Sequence, residues 1–169
     1  MDKRYLLIIV IIIVCCFNMF IISNFSDIIG SASIDCNNYT FSAPSGFALY
    51  DSTQKYILIH DSNSGMNIYL YDSLSSSETY KNKIKDIQDN GNDRLLKKGT
   101  LDVDGIKVYS IYYQRNDSGQ YRSTFYFNKF GNDFRILITD FDYESDYDKT
   151  IKYAEDVITS LRINHKVVG

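Results

Sequence analysis

Two histidines, three cysteines and one run of alternating carboxylates are the residues from which this 169-residue chain would have to build any chemistry. The run is "DFDYESDYD", Asp140 to Asp148. Alternating side-chain oxygens suit Ca²⁺, which makes Asp140, Asp142 and Glu144 the candidate ligands. An EF-hand loop also requires Gly at its sixth position and a bidentate Glu at its twelfth. Counted from Asp140, those positions hold Ser145 and Ile151, so the specific pattern is not met. The acidity has a plainer use. Ser145 or Asp146 can cap a following helix, and carboxylates in its first turn face the positive end of the helix dipole. No metal and no cofactor are expected.

The remaining reactive residues stand apart. His60 sits inside the apolar run "YILIHD", and His165 lies near the end of the chain. Cys15 and Cys16 fall in an uncharged stretch where a thiol behaves as a small hydrophobe. Cys36 is left without an external partner, which predicts a free thiol, with an intermolecular bridge as the alternative. No nucleophile elbow, zinc-protease motif, phosphate-cradling glycine loop or metal-spaced cysteine pair occurs. Asn24, Asn38 and Asn116 match the N-glycosylation pattern and are allowed sites only. The residue types therefore predict a protein that binds and does not catalyse. A surface hydrolase with an unrecognised site and a structural envelope component are the alternatives. A net charge of −3 gives no footprint for nucleic acid.

Compartment depends on the stretch Leu6 to Ile22, seventeen residues without a charge. As a helix it spans ~26 Å, at the short end for a bilayer. Its apolar length exceeds that of a secretory signal, and small residues suited to cleavage come only at Gly30-Ser31-Ala32. Residues 1–23 are therefore expected to remain as a signal-anchor. Lys3 and Arg4 precede the stretch, while Asp27 and Asp35 are the first charges after it. The positive-inside bias puts the N-terminus in the cytoplasm and the rest outside. Residues 24–38 read as a polar linker, 39–164 as one globular domain and 165–169 as a tail.

The domain reads as strands interrupted by two helices. A short extended piece at Asn38–Ser42 turns at Pro44 and Gly46, and a strand starts at Phe47. "QKYILIHD" and "MNIYLYDS" are β-rich runs joined by a hairpin signal at Asn63-Ser64-Gly65. Ser75 and Glu78 have capping-box spacing, Tyr80, Ile84 and Ile87 share a face, and Gly91 ends that helix. Asp104-Gly105 bends a long hairpin, and two further strands meet around Phe130-Gly131. A second helix, from about Ser145 to Leu161, carries the stripe Tyr147, Ile151, Ala154, Ile158 and Leu161. Alternation sorts the sheet into two faces. Ile106, Val108 and Tyr112 go with Phe134, Ile136 and Ile138 on an aliphatic face. Tyr109, Ile111 and Tyr113 oppose them, and Arg135, Leu137 and Thr139 form the mixed side of their own strand. Tyr69, Tyr71, Tyr109 and Tyr113 are the candidate binding face, because a tyrosine joins an apolar ring to a polar tip.

An extended piece with Phe41, then Pro44-x-Gly46-Phe47, then strands, a helix and Asp104-Gly105 opening a long hairpin resembles the PsbP-like group. The closing helix on "VITSLRIN" is similar to that group's terminal helix, so the likeness runs from about Tyr39 to Ile163. It implies an α+β fold, an α/β/α sandwich around an antiparallel sheet. It also implies exported, membrane-associated proteins that bind or help assemble larger complexes. The flavour is similar to anchored members from methanogenic archaea. No catalytic or ligand residue carries over. The function expected is a tethered extracytoplasmic binding or assembly module, its partners the membrane through the N-terminal helix and an envelope protein or surface component.

Overall fold

The computed structural model describes residues 33–36, 39–53, 56–71, 74–140 and 146–163. In chain order these hold β1 (Ser33–Cys36), β2 (Tyr39–Ser42), β3 (Ala48–Ser52), β4 (Tyr56–His60) and β5 (Ser64–Tyr71). Helix α1 (Ser76–Asn90) follows, then β6 (Asp93–Val103), β7 (Ile106–Arg115), β8 (Tyr121–Lys129) and β9 (Asn132–Asp140). Helix α2 (Tyr147–Ser160) and the short β10 (Arg162–Ile163) close the described chain. The main sheet has the order β3-β4-β5-β9-β8-β7-β6, and β1-β2-β10 form a small second sheet. All pairings are antiparallel.

The order follows from the turns. Asp104 and Gly105 take φ of 52° and 77°, the left-handed pair that lets a two-residue hairpin match strand twist. Phe130 and Gly131 repeat this with φ of 55° and 78°. There the first position holds a bulky side chain in a region that costs an L-residue about 1–2 kcal/mol. The sequential order breaks once, between β5 and β9, because α1 carries the chain from β5 to the far edge strand β6. That crossover lays α1 on one face of the sheet.

Both helices start as the sequence predicts. Ser75 accepts from the Glu78 amide while the Glu78 side chain returns to the Ser75 amide, and Gly91 ends α1 with φ of 63°. Asp146 caps α2, its carboxylate accepting from the amides of Asp148 and Lys149 at 3.0 and 3.3 Å. At the other end the Lys129 ammonium donates to the Ile158 carbonyl and Arg162 donates to Thr159 O, cations placed where a helix C-terminus favours them. Burial, with Arg162 nearby, holds the Lys129 pKa below the usual lysine value.

Helix α2 covers the first face. Ala154, Val157, Ile158 and Leu161 pack on Ile57, Ile59, Met66, Ile68, Phe125, Phe127, Phe134, Ile136 and Ile138, with Tyr39 and Phe41 of β2 closing one side. Phe127 and Phe134 stack at 5.3 Å, and Tyr39 meets Phe134 edge-on at 5.6 Å. One polar seam runs through it, where Thr150 bonds the Ser123 hydroxyl at 2.7 Å and the Tyr147 hydroxyl donates to Ser110 at 3.0 Å.

One expectation changes. The linker expected over 24–38 contributes β1, whose residues Ser33–Cys36 pair with Ser42–Tyr39, so ordered chain begins earlier than its polarity suggests. Within the expected domain, the stretch after α2 re-enters the small sheet as β10 beside β2. The expected anchor, residues 1–23, lies outside the described residues. Among the described residues no helix is long and apolar enough to cross a membrane.

Candidate binding face

Among the described residues the second face divides into a covered and an open half. Under α1, Ile87, Tyr80 and Ile84 pack on Ile111, Tyr113, Tyr126, Leu95 and Tyr109. Tyr80 lies 5.1 Å from Tyr109 and 6.5 Å from Tyr126, ring centre to ring centre. Burial raises the Tyr80 pKa above the usual phenol value. Register then carries the same face outward across β8, β9, β5 and β4. Tyr126 stands opposite Arg135, Arg135 opposite Tyr69, and Tyr69 opposite Tyr56. Two residues along, Thr124, Leu137, Asn67 and Leu58 form the next row; beyond it come Arg122, Thr139, Gly65 and His60.

Burial falls along the first two rows; in the third, Gly65 is buried between half-buried Thr139 and exposed His60. Tyr126 and Thr124 are buried, Arg122, Arg135, Leu137, Asn67, Tyr69, Tyr56 and Leu58 are half-buried, and His60 is exposed. Apart from the first turn of α1 at Asp133, no described element covers the part from β9 to β3. The Arg135 guanidinium lies over the Tyr69 ring, 4.1 Å from its centre, a cation–π contact. Tyr56 sits 5.8 Å from Tyr69, and its hydroxyl donates to Asp51 at 2.9 Å. That bond, and the Asp51 charge, raise the Tyr56 pKa. At the edge a bulge between Leu49 and Asp51 pushes Tyr50 out, 70% exposed, with its ring edge-on to His60 at 5.2 Å. An aromatic rim, a central row of Leu58, Asn67 and Leu137, and an inner wall of Arg122 and Arg135 thus share one surface.

The four tyrosines singled out in the sequence meet different fates. Tyr69 stands on the open half. Tyr109 is half-buried between Tyr80 and Lys107, whose ammonium lies 5.0 Å over its ring. Tyr113 is only 3% exposed, shut in by Ile87 and Lys83, so it is withdrawn from the binding face and belongs to the core beneath α1. Tyr71 ends β5, and its side chain lies outside the described residues. Arg122, Leu58, Tyr56 and Tyr50 were missed. The signal for Arg122 was present in "QYRSTFYFNK", where alternation puts it on the face of Thr124 and Tyr126.

The acidic run has a structural use where it is described. Asp140 accepts from the Ser64 hydroxyl at 2.9 Å and Asp146 caps α2; Asp142 and Glu144 lie outside the described residues. Among the described residues no group of three His, Cys, Asp or Glu could hold a metal ion. His60 Nδ1 is within 3.1 Å of the Asp61 carbonyl, and Cys36 pairs with Tyr39 in the small sheet. A concavity of about 400 Å³ at the head of α1 is lined by Ser75, Ser76, Ser77, Lys107, Tyr109 and Asp133 among others. Its attraction for an anion is already met by Asp133, which accepts from the Ser76 amide at 2.9 Å and hydroxyl at 2.7 Å. Another, about 530 Å³, lies between Phe130, Asn132, Arg162 and Ile163.

No protein-family model matches the chain, and no curated protein matches it. Solved structures do. The Ran-binding protein Mog1p of Saccharomyces cerevisiae superposes with a TM-score of 0.56 at 8% identity, covering 79% of this chain and 95% of that one. Cyanobacterial PsbP (CyanoP) of Synechocystis gives 0.49 at 15% identity over 80% and 93%. LpqN of Mycobacterium tuberculosis, described as involved in cell envelope biogenesis, gives 0.45 at 10% over 80% and 91%. Identities this low speak to fold alone, and the two weaker superpositions carry no weight. The likeness therefore holds at the level of fold: an antiparallel sheet with two helices, an α+β arrangement shared with the yeast protein.

Proposed function

We propose that this chain is a membrane-tethered, extracytoplasmic binding or assembly module that carries out no reaction of its own. Its contact surface is the open half of the second sheet face. One observation carries the reading: a surface of half-buried tyrosine, leucine and arginine that no described element covers. Aromatic and arginine side chains are the types enriched where binding energy concentrates. The described carboxylates nearest a candidate site are engaged in caps or hydrogen bonds, as Asp133, Asp140 and Asp146 are. The fold itself licenses no reaction. The yeast protein of like fold is a Ran-binding protein, one use of this architecture for recognising another protein.

Tethering supports the same reading. The uncharged stretch Leu6–Ile22 would hold the domain at the outer surface, where high effective concentration lets a weak contact suffice. N-terminal sequencing of the membrane-derived protein tests the anchor, and a start near Ser33 would defeat it. The face is tested by placing a photo-crosslinking residue at Leu58 or Tyr69, with Glu155 on the exposed side of α2 as control. Adducts should form from the first two positions and not from the third. Equal labelling from all three, or none from 58 and 69, would sink the binding reading.

A further inference from the structure

Resting on that reading, we infer that the open half-face takes an extended, carboxylate-bearing protein segment in which two acidic residues flank an apolar one. The chain is acidic overall, 21 Asp and Glu against 18 Lys and Arg, yet between β4 and β8 the open rows hold Arg122, Arg135 and no carboxylate. The two carboxylates at its margins are engaged, Asp51 by the Tyr56 hydroxyl and Asp133 by Ser76. The Arg122 Nε is buried and no described residue accepts a hydrogen bond from it. A buried donor left this way favours an incoming acceptor, and a guanidinium is shaped for a carboxylate.

Register sets the spacing. Arg135 stands opposite Tyr126 and Arg122 opposite Thr139, so the two arginines are offset by four residues along adjacent strands, roughly 13 Å. Leu137, opposite Thr124, lies midway between them. An extended segment running with the strands repeats at the same rise. Its pattern is acid-x-apolar-x-acid: the carboxylates meet the two guanidinium groups and the apolar residue meets Leu137 and Leu58. The Tyr69 ring already holds the Arg135 guanidinium in place, so less side-chain freedom is lost when a carboxylate arrives.

The test uses the full chain in neutral detergent and a fluorescent peptide carrying Glu-Ser-Leu-Ser-Glu in a glycine-serine frame. Its isostere carries Gln in place of both Glu. Anisotropy should show the acidic peptide binding at least about tenfold more tightly. The advantage should shrink between about 50 and about 500 mM sodium chloride. It should vanish in the double variant Arg122→Gln, Arg135→Gln, with unchanged thermal unfolding, and return in part with Lys at both positions. Equal affinities, no binding of either peptide, or a preference that survives the double variant would overturn the inference. If dihexanoylphosphatidylglycerol, and not the acidic peptide, binds through the two arginines, the face reads a lipid headgroup and the inference also falls. Crosslinking separates the two layers. Adducts from Tyr69 that persist in the double variant leave the binding module standing without its charge reading; absence of adducts in the unaltered chain removes the module itself.

Discussion

The two faces of one sheet are built from the same strands and end in opposite chemistry. Beneath α2, residues such as Ile57, Ile68, Phe127, Phe134 and Ile136 are dry and carry no polar group on their side chains. On the reverse of those strands, Tyr126, Tyr69, Tyr56, Arg122 and Arg135 all carry one. Apart from its seam of Ser110 with Tyr147 and Ser123 with Thr150, the aliphatic face stays closed because its side chains gain nothing from water. A face of phenols and guanidiniums is stable both wet and covered, since each polar tip finds water or a partner. Helix α1 covers that face over β6 to β8 and reaches β9 at its first turn; no described element lies over the rest. The difference teaches where the molecule is permanent and where it can exchange one contact for another.

The comparison breaks most readily at Phe134, which stacks on Phe127 and meets Tyr39. Phe134→Ala should cost about 3–5 kcal/mol, because the close-packed first face cannot collapse into the cavity. Urea unfolding of the full chain, followed by near-ultraviolet dichroism of its tyrosines, measures this. A loss below about 1 kcal/mol would mean that the two faces are equally soft.

Beneath α1 the effect should be smaller. Ile87 is buried among few neighbours at the last turn of a helix that ends at Asn90. Ile87→Ala should cost about 2–3 kcal/mol, the lower part of the range for such truncations, since the helix end can settle inward. If it matches or exceeds the loss at Phe134, α1 is as integral to the fold as α2.

On the open half, stability and binding should separate. Leu137 is half-buried, with no described element above it. Leu137→Ala should lower stability by less than about 1 kcal/mol while sharply reducing crosslinks from Tyr69. Intact crosslinking with a large stability loss would assign Leu137 to the core and close the open half as a candidate.

Much of this division was legible in the sequence. Alternation in "DFRILITD" separated Phe134, Ile136 and Ile138 from Arg135, Leu137 and Thr139, and the register confirms both sets. Capping chemistry marked Ser75, Gly91 and Asp146 because these signals are local. The reach of α1 was not legible. Which tyrosines lie under a helix depends on where the crossover passes, a tertiary fact, so Tyr113 and Tyr69 look alike in sequence and part in the fold. Strand β1 was missed for a similar reason. "SIDC" is short and polar, and only its pairing with β2 makes it a strand.

The smallest effect concerns how firmly the cover is fastened. The Glu78 carboxyl is held below its ordinary value of 4.5, first by the Ser75 hydroxyl and then by the Ser75 backbone N–H. A carboxyl depressed on folding adds stability above its unfolded pKa, and this is lost as pH falls through the lower folded value. Glu78→Gln should therefore be less stable than the unaltered chain near neutrality, and the gap should close below pH 4.5. Ser75→Ala, which removes the cap itself, should cost about 1 kcal/mol at neutral pH and let the Glu78 carboxyl titrate closer to 4.5. Urea midpoints across pH, with carboxyl shifts followed by NMR, measure both. The first turn of α1 also holds Ser76 against Asp133 on β9, so fraying there loosens the helix where its cover of the second face begins. A pH-independent gap, or a Glu78 carboxyl titrating at its ordinary value, would show that the capping box does not fasten α1 and that the covered half is held by its tyrosines and isoleucines alone.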